Sequence, residues 1–179
     1  MNLPNRLTIL RTVLIIPFVI IMLTGCAGEF SNWIALFIFI LASITDLLDG
    51  KIARKYNLIT NFGKFMDPLA DKLLVCSALI CLLEMSKIPA WAVLIIMARE
   101  FIISGFRLVA SYNGVVIAAS MWGKSKTVSQ MIMIGLLIAD LDLWFFNFME
   151  ALSLYVSVAL TIISLIDYII KNKVVMKEE

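Results

Sequence analysis

Asp46, Asp49, Asp67 and Asp71 are the residues of this chain best suited to chemistry. They belong to the pattern D-x2-D-G-x2-A-R-x8-G-x3-D-x3-D, whose other fixed positions are Gly50, Ala53, Arg54 and Gly63. Carboxylates at such intervals suit hard, oxygen-preferring cations, and the chain contains no histidine to compete for them. Two divalent ions, Mg2+ or Mn2+, would neutralise four ionised carboxylates. Paired ions of this kind clamp the attacking and leaving oxygens of a phosphoryl displacement.

The spacing says how these acids are carried. Asp46, Asp49 and Ala53 stand at i, i+3 and i+7, one face of a helix, and Asp67 and Asp71 at i and i+4 make one face of another. Gly50 and Ala53 are small enough to admit another backbone or a bulky ligand. Residues 57–62 read as a polar turn between the two helices. Pro68 is tolerated best in the first turn of a helix, so the second helix is expected to start between Asn61 and Asp67.

The surroundings are apolar. Of 179 residues, 62% are hydrophobic and only 16% are charged, as in an integral membrane protein. Six apolar segments are each long enough to cross a hydrocarbon core of about 30 Å: 7–24, 32–53, 65–84, 89–112, 122–140 and 145–170. The expected fold is an all-α membrane protein of six transmembrane helices in a single integral-membrane catalytic domain. A carboxylate at the centre of a membrane helix costs about 2.5–3.5 kcal/mol, so four left uncompensated would cost on the order of 10 kcal/mol. Bound cations are the obvious compensation.

The basic residues alternate by connection. Arg6 and Arg11 lie at the N-terminus, Lys51, Arg54, Lys55 and Lys64 in the second connection, Arg107, Lys124 and Lys126 in the fourth, and Lys171, Lys173 and Lys177 at the C-terminus. The other connections hold Glu29, Glu84, Asp140, Asp142 and Glu150 with one base, Lys87. The positive-inside rule then places both termini and the aspartates on the cytoplasmic side. Cys26, Cys76 and Cys81 show no metal-ligand spacing and read as apolar thiols. Leu23-Thr24-Gly25-Cys26 mimics a lipoprotein cleavage site, but cleavage there would remove the first span and spoil the alternation.

The eight-position signature resembles that of the CDP-alcohol phosphotransferases, with every position filled. The resemblance implies a CDP-alcohol phosphotransferase-like bundle of six membrane helices, usually a homodimer, that displaces CMP from a CDP-linked donor by an alcohol. It implies Asp46, Asp49, Asp67 and Asp71 as metal ligands, with Asp67 also catalytic and Asp71 the general base that takes the acceptor proton. Crowded carboxylates raise one another's pKa and a metal lowers those it binds, so splitting the roles is physically reasonable. The resemblance further implies that Gly50, Ala53 and Gly63 make room for cytidine, and that Arg54 contacts phosphate.

Other segments resemble one subfamily, the bacterial phosphatidylglycerophosphate synthases. These are Pro4 to Arg11 with Asn5, Thr8 and Arg11 at intervals of three, Ala98-Arg99-Glu100-Phe101, Ser104-Gly105-Phe106-Arg107, and Gly123-Lys124-Ser125-Lys126-Thr127. That resemblance implies CDP-diacylglycerol as donor, with Asn5 and Thr8 on the donor side, and glycerol 3-phosphate as acceptor. A dianionic acceptor needs cations, and Arg99, Arg107, Lys124, Lys126 and Arg11 are the candidates. The bland alternatives stay open: topology signals or lipid-headgroup contacts for Lys124 and Lys126, and an internal pair with Glu100 for Arg99. Asp167 with Lys171 reads as a helix-end pair. Trp91, Trp122 and Trp144 read as interfacial anchors. Two competing functions also remain at this stage. One is the same donor with serine or an inositol phosphate, and the other is a cation transporter that uses the carboxylates as its ion site. Nothing points to a nucleic-acid partner.

Overall fold

The protein is described from a computed structural model over residues 3–55, 61–112 and 120–172, with side chains described at 8–45, 69–70, 72–110 and 120–172. Among the described residues there are six α-helices and no strand. They are α1 (Leu3–Thr24), α2 (Ser31–Lys55), α3 (Asn61–Glu84), α4 (Ala90–Tyr112), α5 (Met121–Ala139) and α6 (Trp144–Lys171). Each falls within a few residues of one apolar segment. A short 3-10 turn, Gly28–Phe30, leads into α2.

The start of α1 and the place of Pro68 differ from expectation, while α3 starts at the early limit of its expected range. Helix α1 begins at Leu3 and carries Asn5 on helical backbone. Helix α3 begins at Asn61, so Pro68 lies in its interior and not in its first turn. Pro17 likewise sits inside α1 without ending it. A proline removes one helical hydrogen bond, and apolar helices tolerate this where neighbouring groups re-satisfy the freed carbonyl.

The helices gather into two compact units. In the first, residues 1–87 with 137–140, α1 packs against both α2 and α3, and α2 touches α3. The buried line of α2 runs Ser31, Ala35, Phe39, Ala42 and Thr45, and that of α3 runs Ala70, Leu74, Ala78 and Cys81. Alanine recurs in both because small residues let helix backbones approach where lipid supplies no hydrophobic drive to associate. Phe18 of α1 fills the gap against Phe39, with ring centroids 6.2 Å apart. Cleavage before Cys26 would remove α1 and with it this packing. Lys87 pairs with Asp140, joining two connections assigned to the same side by charge.

In the second unit, residues 88–136 with 141–179, α4 packs against α6. The face of α6 that is buried carries Leu154, Ser157, Val158, Thr161, Ser164 and Tyr168. Small hydroxyl residues make up half of it, and two of them return their protons to their own helix: Thr161 Oγ1 donates to Ser157 O (2.6 Å) and Ser164 Oγ to Thr161 O (2.9 Å). Their polarity is thus met within the helix while the surface stays slim enough for close packing.

The outward faces are apolar. Phe37, Leu94, Leu108 and Ile166 are 66%, 67%, 72% and 52% exposed, and dozens of large apolar side chains behave alike. Water would not tolerate such a surface, whereas acyl chains would. Among the described residues, Gly28–Thr45 and Trp144–Lys171 are long and apolar enough to cross a membrane.

Candidate functional site

The acid positions fall at matching depths on two adjacent helices. Asp49 stands six residues before Lys55, the end of α2, and Asp67 stands six residues after Asn61, the start of α3. At 1.5 Å per residue both lie about 9 Å from the connection between the helices, with Asp46 and Asp71 about 14–15 Å from it. Positions 46, 49 and 53 share one face of α2 by the helical period. Positions 63, 67 and 71 likewise share one face of α3.

The side chains of Asp46, Asp49, Gly50, Ala53, Arg54, Gly63, Asp67 and Asp71 lie outside the described residues, as does that of Asn5. Among the described residues, no three carboxylate or thiol groups gather as a cation site. What is described beside the acid-bearing helices is α1. Its Thr8 and Arg11, at i and i+3, are both fully buried, and both are engaged in polar interactions. A buried guanidinium demands negative charge or strong acceptors nearby, since an uncompensated ion costs several kcal/mol to bury.

The second unit holds a buried ionic network. Arg99 on α4 and Lys126 on α5 are 8% and 1% exposed. Both donate to a single oxygen, Glu100 Oε1, Arg99 Nη1 at 2.9 Å and Lys126 Nζ more closely still. Arg99 Nε also donates to Ser164 Oγ on α6, 3.2 Å away. The network therefore ties α4 to α5 through one carboxylate and α4 to α6 through Arg99. Gly123 belongs to it sterically, because a β-carbon there would stand 3.4 Å from Arg99 Nη2. The internal pair of Arg99 with Glu100, left open from the sequence, is present.

The structure divides the other basic candidates. Arg107 is exposed on α4. Lys124 is exposed on α5 although it is only two positions from buried Lys126. Two residues along a helix is a rotation of about 200°, so the two ammonium groups cannot address one ligand in the same way. Arg11 belongs to the first unit, Arg99, Arg107, Lys124 and Lys126 to the second. Asp167 pairs with Lys171 at 2.6 Å, as the i, i+4 spacing suggested. Trp91, Trp122 and Trp144 are exposed near helix ends. Glu100 is the residue that sequence reasoning undervalued. Its signal was available, since an acid within an apolar helix must find a cation.

Comparison with known proteins extends these observations. Residues 1–163 match the family model of the CDP-alcohol phosphatidyltransferases. A Bacillus subtilis protein named CDP-diacylglycerol–glycerol-3-phosphate 3-phosphatidyltransferase is 46% identical, over 96% of this chain and 95% of its own. Proteins of the same name from Haemophilus influenzae and Rickettsia bellii are 41% and 40% identical. The first aligns over 94% of this chain and 91% of its own, the second over 93% of each.

Proposed function

The chain belongs to the CDP-alcohol phosphatidyltransferase family, and from that premise we propose that it transfers the phosphatidyl group of CDP-diacylglycerol to sn-glycerol 3-phosphate, releasing CMP. The observation that carries this reading is the matched depth of the four acid positions on α2 and α3, two helices that share α1 as a packing partner. The names of relatives at 40–46% identity over nearly the whole chain support the choice of donor and acceptor.

The donor set suits a hard divalent cation. Four carboxylates share two helices, the chain has no histidine, and buried Cys81 lies ten positions beyond Asp71 among apolar neighbours. Asp46, Asp49, Asp67 and Asp71 would hold Mg2+ or Mn2+, two ions by charge balance. When bound, such ions polarise the phosphoryl oxygens and offset the charge of the diphosphate.

The chain's own residues do the rest. Asp71 is the carboxylate least committed to metal, and it accepts the proton of the acceptor hydroxyl as that oxygen attacks the donor's β-phosphorus. Asp67 holds charge beside it. Gly50, Ala53 and Gly63 leave space for the cytidine, Arg54 meets phosphate, and Asn5 and Thr8 bind donor from α1. Arg99, Lys126 and Arg107 supply cationic recognition of the acceptor phosphate, and buried Arg11 adds positive charge from α1. One integral-membrane domain with six spans, both termini cytoplasmic, in the cytoplasmic membrane and as a homodimer completes the reading.

The test uses detergent-solubilised protein, CDP-diacylglycerol, Mg2+ and a panel of alcohols, with CMP release followed. Release with glycerol 3-phosphate well above that with serine or inositol phosphate is expected. Silence with every acceptor from folded protein would overturn the transferase reading.

A further inference from the structure

Helices α5 and α6 enclose an open groove of about 570 Å3. On α5 its wall is Lys124, Val128, Ile132 and Leu136, spaced i, i+4, i+8 and i+12, which is one continuous stripe. On α6 it is Met149, Leu152, Ser153 and Val156, at i, i+3, i+4 and i+7, again one stripe. The helices are joined behind it by Ser129 and Ser157, whose hydroxyl oxygens lie 2.8 Å apart. Val128, Ile132, Leu152 and Val156 remain substantially exposed on its flanks.

Polarity is graded along this groove. Lys124 and Ser125 stand at one end, one turn into α5, where the helix N-terminus adds partial positive charge. Exposed Trp122 lies at the same end, the depth at which aromatic side chains meet headgroups. Among the described residues no carboxylate pairs with Lys124. Beyond Ser129 the α5 wall is purely apolar.

Length and charge select the occupant. Lys124 to Leu136 spans about 18 Å at 1.5 Å per residue, close to one leaflet of a hydrocarbon core about 30 Å thick. We propose that the α5–α6 groove binds an anionic diacyl phospholipid, one acyl chain lying along the two stripes and the headgroup phosphate at Lys124. This lipid site is separate from the donor and acceptor roles assigned above and does not rest on them. It also gives Lys124 a function distinct from that of Lys126.

The test presents delipidated full-length protein with phosphatidylglycerol and phosphatidylcholine of matched acyl chains and counts retained lipids by native mass spectrometry. The expected result is one phosphatidylglycerol held per chain in preference to phosphatidylcholine. Lys124→Gln should lower that preference about fivefold, the worth of one lysine at a headgroup surface, with a lipid still retained. Val128→Trp and Ser153→Trp, two independent ways to fill the groove, should each lower retention of both lipids while circular dichroism shows native helicity. Equal retention by wild type and whichever filled variants fold would overturn the proposal. So would inorganic phosphate binding that is unchanged in the filled variants while wild type retains no lipid, which would mark an anion site only. A dimer in wild type that dissociates on filling, without retained lipid, would assign the groove to a second copy and equally overturn it.

Discussion

Glu100 on α4 and Lys126 on α5, 26 positions apart in sequence, form an ion pair in which Lys126 is almost wholly buried. The same carboxylate oxygen takes Arg99, so one acid orders two cations. A carboxylate so placed fixes where the cationic heads point, which is what recognition of a dianionic phosphate requires.

Glu100→Gln should therefore destabilise the protein, because it leaves two buried cations without their acid. Losing one partner of a buried pair costs about 3–5 kcal/mol, and the lower end applies here because Glu100 retains some exposure. Thermal unfolding in detergent should show a clear drop for Glu100→Gln. The double variant Glu100→Gln with Lys126→Met should recover part of it, since it buries one charge fewer. Strict additivity of the two single effects would mean the pair does not couple.

Lys126→Gln should raise the Michaelis constant for glycerol 3-phosphate by at least about tenfold with a smaller change in kcat, since a charged hydrogen bond contributes about 1.5–3 kcal/mol. Arg107→Gln should act in the same direction. Steady-state rates against acceptor concentration, at saturating donor, decide this. An unchanged constant for both variants would remove them from acceptor recognition.

Asp71→Asn should lower turnover by about 10²–10⁴-fold, the usual worth of a positioned general base, and leave CDP-diacylglycerol binding nearly intact. Binding measured with the non-reacting donor alone separates the two effects. If binding disappears together with turnover, Asp71 is chiefly a metal ligand.

Chelation of divalent ions should abolish CMP release, and Mg2+ or Mn2+ should restore it, since four carboxylates without their counter-ions repel the diphosphate. Activity that persists through exhaustive chelation would contradict the role given to Asp46, Asp49 and Asp67.

Much of the fold was legible in the chain because apolar segments of membrane length leave one way to satisfy the backbone, the helix. The bounds of α2, α4, α5 and α6 follow the ends of their apolar runs for that reason. The start of α3 was harder. Pro68 argues locally for a first-turn position, yet the helix begins at Asn61, the early limit of the expected range, and runs on through the proline.

The acid positions were legible too. Spacing alone assigned Asp46 with Asp49, and Asp67 with Asp71, to single helical faces, because the α-helical period is a local property that needs no neighbour. Packing decided what period cannot. Lys124 and Lys126 look equivalent in Gly123-Lys124-Ser125-Lys126-Thr127, and only the arrangement of α4, α5 and α6 buries one against Glu100 and leaves the other at the mouth of a groove. A helix determines which residues share a side. Which side is inside depends on the partners it meets, and those come from distant parts of the chain.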